Sequence, residues 1–110
     1  MKRKFLLLMM VLVPAAVHAD YDANFRGKIL DVITYPYNDT ILIRVENQPK
    51  SHPICGNFDY LALDAGVEEH RRQYVFARML AAYAAGEVVN IGYDSKDLCS
   101  GDRIRIYRVG

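Results

Sequence analysis

Polar and apolar residues alternate along several stretches of this chain, and along one other stretch apolar residues recur at spacings of three and four. Residues 25–35 place Ile29, Val32 and Ile33 among polar neighbours and include Gly27, the pattern of a long, bent first strand. Pro36-Tyr37-Asn38-Asp39 reads as a turn, and the β-branched run from Thr40 to Glu46 as a second strand, so the two form a hairpin. Residues 47–53, with Pro49 and Pro53, are a loop. Phe58, Tyr60 and Ala62 then alternate against Asp59, Leu61 and Leu63, which predicts a short third strand over 57–63 that ends at Asp64 and Gly66.

Between Val67 and Ala85 the spacing changes. Val75, Phe76, Met79, Leu80 and Tyr83 fall on one face of a helix, Glu68 and Glu69 suit its positive N-terminal end, and Glu68 stands four residues before Arg72. Gly86 supplies the stop. Residues 87–93 alternate Val89 and Ile91 against Val88 and Asn90, and residues 103–109 set Ile104 and Ile106 against Arg103, Arg105 and Tyr107, so two more strands follow. Strand, strand, strand, helix, strand, strand predicts a mainly β (β+α) domain: a five-stranded OB-type Greek-key barrel with one α-helix between strands 3 and 4, plugging one end. A ferredoxin-like split fold needs a second helix, which the pattern does not supply.

The start of the chain obeys a different rule. Lys2-Arg3-Lys4, the apolar run from Phe5 to Val13, and small residues at Val17 and Ala19 make residues 1–19 a signal peptide cut after Ala19, leaving residues 20–110 as a single domain. The alternative, an uncleaved anchor, is weakened by helix-breaking Pro14. The expectation is a secreted or periplasmic protein with no membrane span after cleavage. The leader holds three of the fourteen basic residues, so the mature chain carries eleven against thirteen acidic ones. A near-balanced surface of that kind argues against nucleic acid as a partner.

Cys55 and Cys99 are the two cysteines, and in an oxidising compartment two thiols in one small domain pair; one disulfide is expected. His52, three residues before Cys55, raises the alternative of a thiol nucleophile with a neighbouring base, which a bridged sulfur cannot be. His70 reads as a surface residue at the start of the helix. Asp94, Asp97 and Asp102 do not follow the ligand order of a calcium loop and read as turn residues. Asn38-Asp39-Thr40 fits a glycosylation acceptor by composition alone. No catalytic residue, metal site or cofactor is predicted, and the chain reads as a non-enzyme. Eight tyrosines without a tryptophan suit a recognition surface or, equally, an ordinary core. Ala77, Ala81, Ala84 and Ala85 give the helix a small-residue face that reflects either helix propensity or close approach of another helix.

Phe25-Arg26-Gly27, Glu46-Asn47-Gln48, the loop up to Cys55 and above all the segment Ala81 to Tyr93 resemble the B subunit of subtilase cytotoxin and its relatives. The resemblance implies a secreted OB-fold subunit of an AB5-type toxin that assembles into a homo-oligomeric ring of five and binds host glycans to deliver a separate A subunit. It carries a sugar-contacting tyrosine onto Tyr93 and a glutamine onto Gln48. At Arg26 this chain has a long cation where the family has a contacting serine, a change that either blocks the pocket or meets a sugar carboxylate differently. The implied ligand-binding set is therefore Arg26, Gln48 and Tyr93. The alternative is a stand-alone periplasmic OB-fold envelope or stress protein that binds a protein partner.

Overall fold

A computed structural model describes residues 21 to 110; the predicted leader and its cut after Ala19 lie outside the described residues. The elements are β1 (Ala23–Tyr35), β2 (Asn38–Val45), β3 (Leu61–Leu63), α1 (Glu69–Ala85), β4 (Val88–Tyr93), β5 (Cys99–Ser100), β6 (Arg103–Ile104) and β7 (Ile106–Val109). Five strands form one antiparallel sheet in the order β3-β2-β1-β4-β7, and β5 pairs with β6 as a separate hairpin. A single parallel bridge between Ala62 and Arg105 links edge strand β3 to the residue between β6 and β7. None of the described helices is long and apolar enough to cross a membrane.

The long first strand serves two neighbours. Its first half pairs with β4, from Ala23 opposite Tyr93 to Lys28 opposite Val88, and its second half pairs with β2, from Ile29 opposite Val45 to Tyr35 opposite Asn38. The hand-over is tight, because a Cβ at Gly27 would collide with the backbone carbonyl of Glu46. Glu46 secures it from the other side: its backbone N–H donates to the Lys28 carbonyl at 3.0 Å, and its side chain accepts from the Lys28 N–H at 3.0 Å. The bend expected from Gly27 is thus a close approach between two backbones that leaves no room for a side chain.

Ile29, Ile43, Leu61, Leu63, Val89, Ile91, Ile104 and Ile106 from the strands close over Met79 and Ala82 of the helix. The helix is less amphipathic than its spacing suggests. Met79 and Ala82 are buried and Val75 and Phe76 half-buried, but Leu80 and Tyr83 remain 41% and 44% exposed. It also begins at Glu69, because Glu68 has an extended backbone and the Val67 N–H closes a turn onto Asp64. Arg72 does not pair with Glu68. It donates to the carbonyls of Ala65 and Val67, and Glu68 pairs with Arg71 instead. Gly86 ends the helix at φ 64°, its successor Glu87 bonding back to Ala82.

Two strands differ from expectation. The third is confined to Leu61–Leu63, with all three residues buried, because side chains replace the ladder over 57–60. Gln48 donates to the carbonyls of Phe58 and Asp59, while Asn57 accepts from the Asp59 N–H. The last predicted strand is split between Ile104 and Ile106, and its first half turns back on Cys99–Ser100 through Gly101 and Asp102, both at positive φ. Two consecutive left-handed residues are what a two-residue hairpin turn of the primed type requires.

Cys55 and Cys99 are bonded, with a sequence separation of 44 and a Cα–Cα distance of 5.7 Å. On the chain-entropy model such a loop contributes about 4 kcal/mol. Reduction is expected to lower the thermal midpoint by more than about 10 °C, read by circular dichroism with and without reductant; an unchanged midpoint would contradict this. Gly27→Ala is expected to cost more than about 2 kcal/mol in a denaturant titration, because neither backbone can retreat from the new methyl without giving up its pairing.

Candidate functional site

Of the three residues singled out by resemblance, Arg26 and Tyr93 lie on opposite faces of the sheet, and Gln48 follows Asn47, whose amide donates to the Arg26 carbonyl at 3.1 Å. On β1, Phe25, Gly27 and Ile29 turn inward, and on β4 so do Val89, Ile91 and Tyr93, so Tyr93 is half-buried against the core and packs edge-on against Phe25 with ring centroids 5.8 Å apart. Arg26 and its partner Asn90 occupy the intervening positions, which places Arg26 on the opposite face of the sheet. Gln48 is occupied by the fold itself. Its Oε1 accepts from the Val45 N–H at 2.8 Å while its Nε2 bonds Phe58 and Asp59. The surface cavity that Gln48 lines includes neither Arg26 nor Tyr93.

A different set of residues is brought together by the way the long loop after β2 is clasped to the β5–β6 hairpin. The disulfide is one link. The Gly56 N–H donates to the Asp102 carboxylate at 2.8 Å, the Asn57 N–H to the Asp102 carbonyl at 3.0 Å, and the Arg103 guanidinium grips Asp59 through two bonds of 2.8 and 3.1 Å. The Arg103 hydrogen bond holds the Asp59 carboxyl below its ordinary range, and Asp59 in turn raises Arg103. The other end of the loop is fixed by His52, whose ring bonds the Ile54 and Cys55 N–H groups and the Asp94 carbonyl. His52, Cys55 and Cys99 thus meet as three metal-ligating side chains, but the sulfurs are bonded to each other and both ring nitrogens have partners.

Asp94 is the buried hub of this region, only 4% exposed. Its carboxylate accepts from the N–H groups of Lys96, Asp97 and Leu98 at 2.8 to 3.0 Å, folding the loop that delivers Cys99. Burial alone would raise its pKa, but those three amides outweigh it and hold the carboxyl below its ordinary value. Asp102 occupies the hairpin turn. Asp94 and Asp102 therefore act as turn residues, and Asp94 does so from the interior.

With the hairpin fixed in place, a cleft of about 280 Å³ opens between it and the β1–β2 turn, lined by Tyr35, Asn38, Thr40, Leu42, Ser100, Gly101 and Arg103. Tyr35 is 48% exposed, and Tyr37 at the tip of the same turn is almost fully exposed. Asn38 spends its Oδ1 on the Thr40 N–H, which leaves its amide nitrogen for a ligand. The Ser100 hydroxyl donates to Asp64 at 2.7 Å, and Arg105 stands 3.6 Å from the same carboxylate. Burial pushes the Asp64 carboxyl up, but Ser100, the Gly66 amide and Arg105 together bring it below the ordinary value. The lining offers an aromatic face, hydroxyls, an amide and a guanidinium whose charge Asp59 already balances. Such groups recognise a polar, weakly charged ligand.

The sequence pointed singly to Tyr35, as one of eight tyrosines, and to Asn38 and Thr40, as part of a glycosylation pattern, but did not join them to Ser100, Gly101 or Arg103. The cleft joins two turns far apart in the chain, and the local signal was only Ser100-Gly101-Asp102-Arg103, a hairpin turn hidden inside what reads as a strand approach.

Removing the hub has a predictable effect. Asp94→Ala is expected to cost about 2–3 kcal/mol by leaving three amides without an acceptor. Because the Asp94 carboxyl is held low in the folded state, its stabilisation is full above the unfolded pKa near 3.8 and fades as pH falls through the folded value. Denaturant midpoints measured across that acid range should fall in the native protein and fall less steeply in Asp94→Ala.

Comparison with known proteins gives no relative: no family model matches this chain, no curated protein or solved structure does, and nothing among them links it to the subtilase cytotoxin B subunits.

Proposed function

We propose that this chain is an exported, non-catalytic binding domain whose sheet curls into an OB-type Greek-key barrel, and that it recognises glycans in the cleft between the β1–β2 turn and the β5–β6 hairpin. The strand order supports the barrel reading. The order β3-β2-β1-β4-β7, with the parallel Ala62–Arg105 bridge joining its two ends, has the succession of a five-stranded OB barrel. In that architecture the face of strands 2 and 3 and the loops joining strands 1–2 and 4–5 bind oligosaccharides and oligonucleotides. The observation that carries the proposal is that the Tyr35–Arg103 cleft lies between those two connections, on β2 residues Thr40 and Leu42. Of the two ligand classes, the balanced charge of the mature chain and the paired state of Arg103 favour a sugar over a phosphate backbone. The disulfide suits export to an oxidising compartment.

Shallow clefts of this size bind weakly one at a time, so the proposal includes a homo-oligomer, a ring of five by resemblance, in which several clefts act together. Exposed Leu80 and Tyr83, neighbours on one side of α1, offer an apolar surface for such contacts. The same surface favours the second reading, an envelope protein that docks a protein partner through its helix.

Native mass spectrometry of the mature chain separates these readings: a stable pentamer supports the toxin-like subunit, and a monomer at micromolar concentration supports the second. Screening the labelled protein on a glycan array then tests the cleft. Tyr35→Ala is expected to weaken binding at least about tenfold. Binding that survives Tyr35→Ala but is lost in Tyr93→Ala would move the site to the residues implied by resemblance.

A further inference from the structure

His52 fixes its own protonation state by what surrounds it. Its Nδ1 faces two donors, the N–H groups of Ile54 at 3.0 Å and Cys55 at 3.1 Å, and its Nε2 lies 3.0 Å from the Asp94 carbonyl. A nitrogen that faces two N–H groups must accept, and one that faces a carbonyl must donate, so the ring is neutral with its proton on Nε2. An imidazolium carries a proton on both nitrogens. Protonated Nδ1 would confront the two amide protons, so the charged ring and this turn exclude each other.

Among the described residues no neighbouring charge offers the protonated ring an alternative hold. The loop after β4 contributes Asp94, whose carboxylate is turned onto the amides of residues 96–98, Lys96, which stands 3.7 Å from Asp22, and exposed Asp97. The β5–β6 hairpin contributes Asp102, which accepts from Gly56, and beyond it Arg105, which donates to the Cys99 carbonyl and faces Asp64. On the loop itself Lys50 is exposed. Among the described residues none of these side chains bonds or pairs with the imidazole.

The turn that His52 holds is the start of the segment that clasps the hairpin, through Cys55, Gly56, Asn57 and Asp59 in succession. That hairpin supplies Ser100, Gly101 and Arg103 to the cleft. We propose that His52 is a proton-operated latch on the cleft: neutral, it holds segment 52–59 against the β5–β6 hairpin; protonated, it releases the segment and loosens that wall. The inference rests on the reading of the cleft as the binding site, and it makes ligand retention weaker in mildly acidic surroundings. The disulfide remains as a tether, so the release is reversible. Asp59, Asp64 and Asp94 are held below the ordinary carboxylate range, so their bonds persist in mild acid.

Amide hydrogen exchange on the oxidised mature protein tests this at about pH 7.5 and about pH 5.0, with rates corrected for the intrinsic effect of pH. Protection at Ile54, Cys55, Gly56, Asn57 and the Ser100–Arg103 pair is expected to fall at least about tenfold at the lower pH, while Val89 and Ile91 of β4 keep theirs. His52→Asn, whose side-chain oxygen accepts the amide two residues on without titrating, is expected to lose this pH dependence. Nitrogen-15 signals of the native ring give a reading independent of any variant and should show the Nε2–H tautomer at the higher pH. The proposal is overturned by protection that does not depend on pH, by an equal loss in His52→Asn, by loosening that stops short of the hairpin or spreads to β4, or by an Nδ1–H ring. No ligand enters the experiment, so a failed glycan screen counts against the proposed function alone.

Discussion

The structure depends on one strand having two partners. At Gly27 and Lys28 the first strand passes from β4 to β2, and the Glu46 backbone comes so close that only a hydrogen fits between them. That contact sets the angle at which the β1–β2 hairpin leaves the rest of the sheet, and therefore where Tyr35, Asn38 and Thr40 stand. A parallel bridge between Ala62 and Arg105 joins edge strand β3 to the residue before β7. A straight strand would leave the apolar faces of β3 and β7 without each other.

What regular pairing begins, side chains complete. Between β2 and β3 the chain has no ladder, and its backbone groups are met one by one: Gln48 takes Phe58 and Asp59, Asp102 takes Gly56 and Asn57, and His52 takes Ile54 and Cys55; after β4, Asp94 does the same for the loop before Cys99. These side chains stand in for a ladder, most firmly at the buried Cys55 N–H, where an unpaired group would cost about as much as a lost hydrogen bond. This explains why polar residues that look like site candidates in the sequence turn out to be occupied. It also explains why the wall of the cleft formed by Ser100, Gly101 and Arg103 depends on a loop with no secondary structure of its own.

The elements with long periodic signals were legible in the sequence. The first two strands, the fourth and the helix follow from apolar spacing alone, and the Cys55–Cys99 bridge follows from the cysteine count together with the expected oxidising compartment. The signal failed where side-chain bonds override backbone propensity. Residues 57–60 alternate like a strand but are held by Gln48 and Asn57, and residues 103–109 look continuous but break where Arg105 crosses to Ala62. The helix face was only partly legible, since Leu80 and Tyr83 share its spacing yet stay largely outside the core. The cleft as a whole was not legible, because it lies between two turns distant in sequence, one of which, the β5–β6 hairpin, is held by a disulfide and an ion pair to the loop after β2.

The central claim is that the ligand is met between those turns. The most direct measurement is to follow backbone amide signals of the isotopically labelled mature protein by nuclear magnetic resonance while adding sialylated and neutral oligosaccharides. The account predicts saturable shifts gathered at Tyr35, Asn38, Thr40, Ser100, Gly101 and Arg103, with Arg26, Gln48 and Tyr93 unmoved. Shifts centred on Arg26 or Tyr93, or none at millimolar sugar, would contradict it.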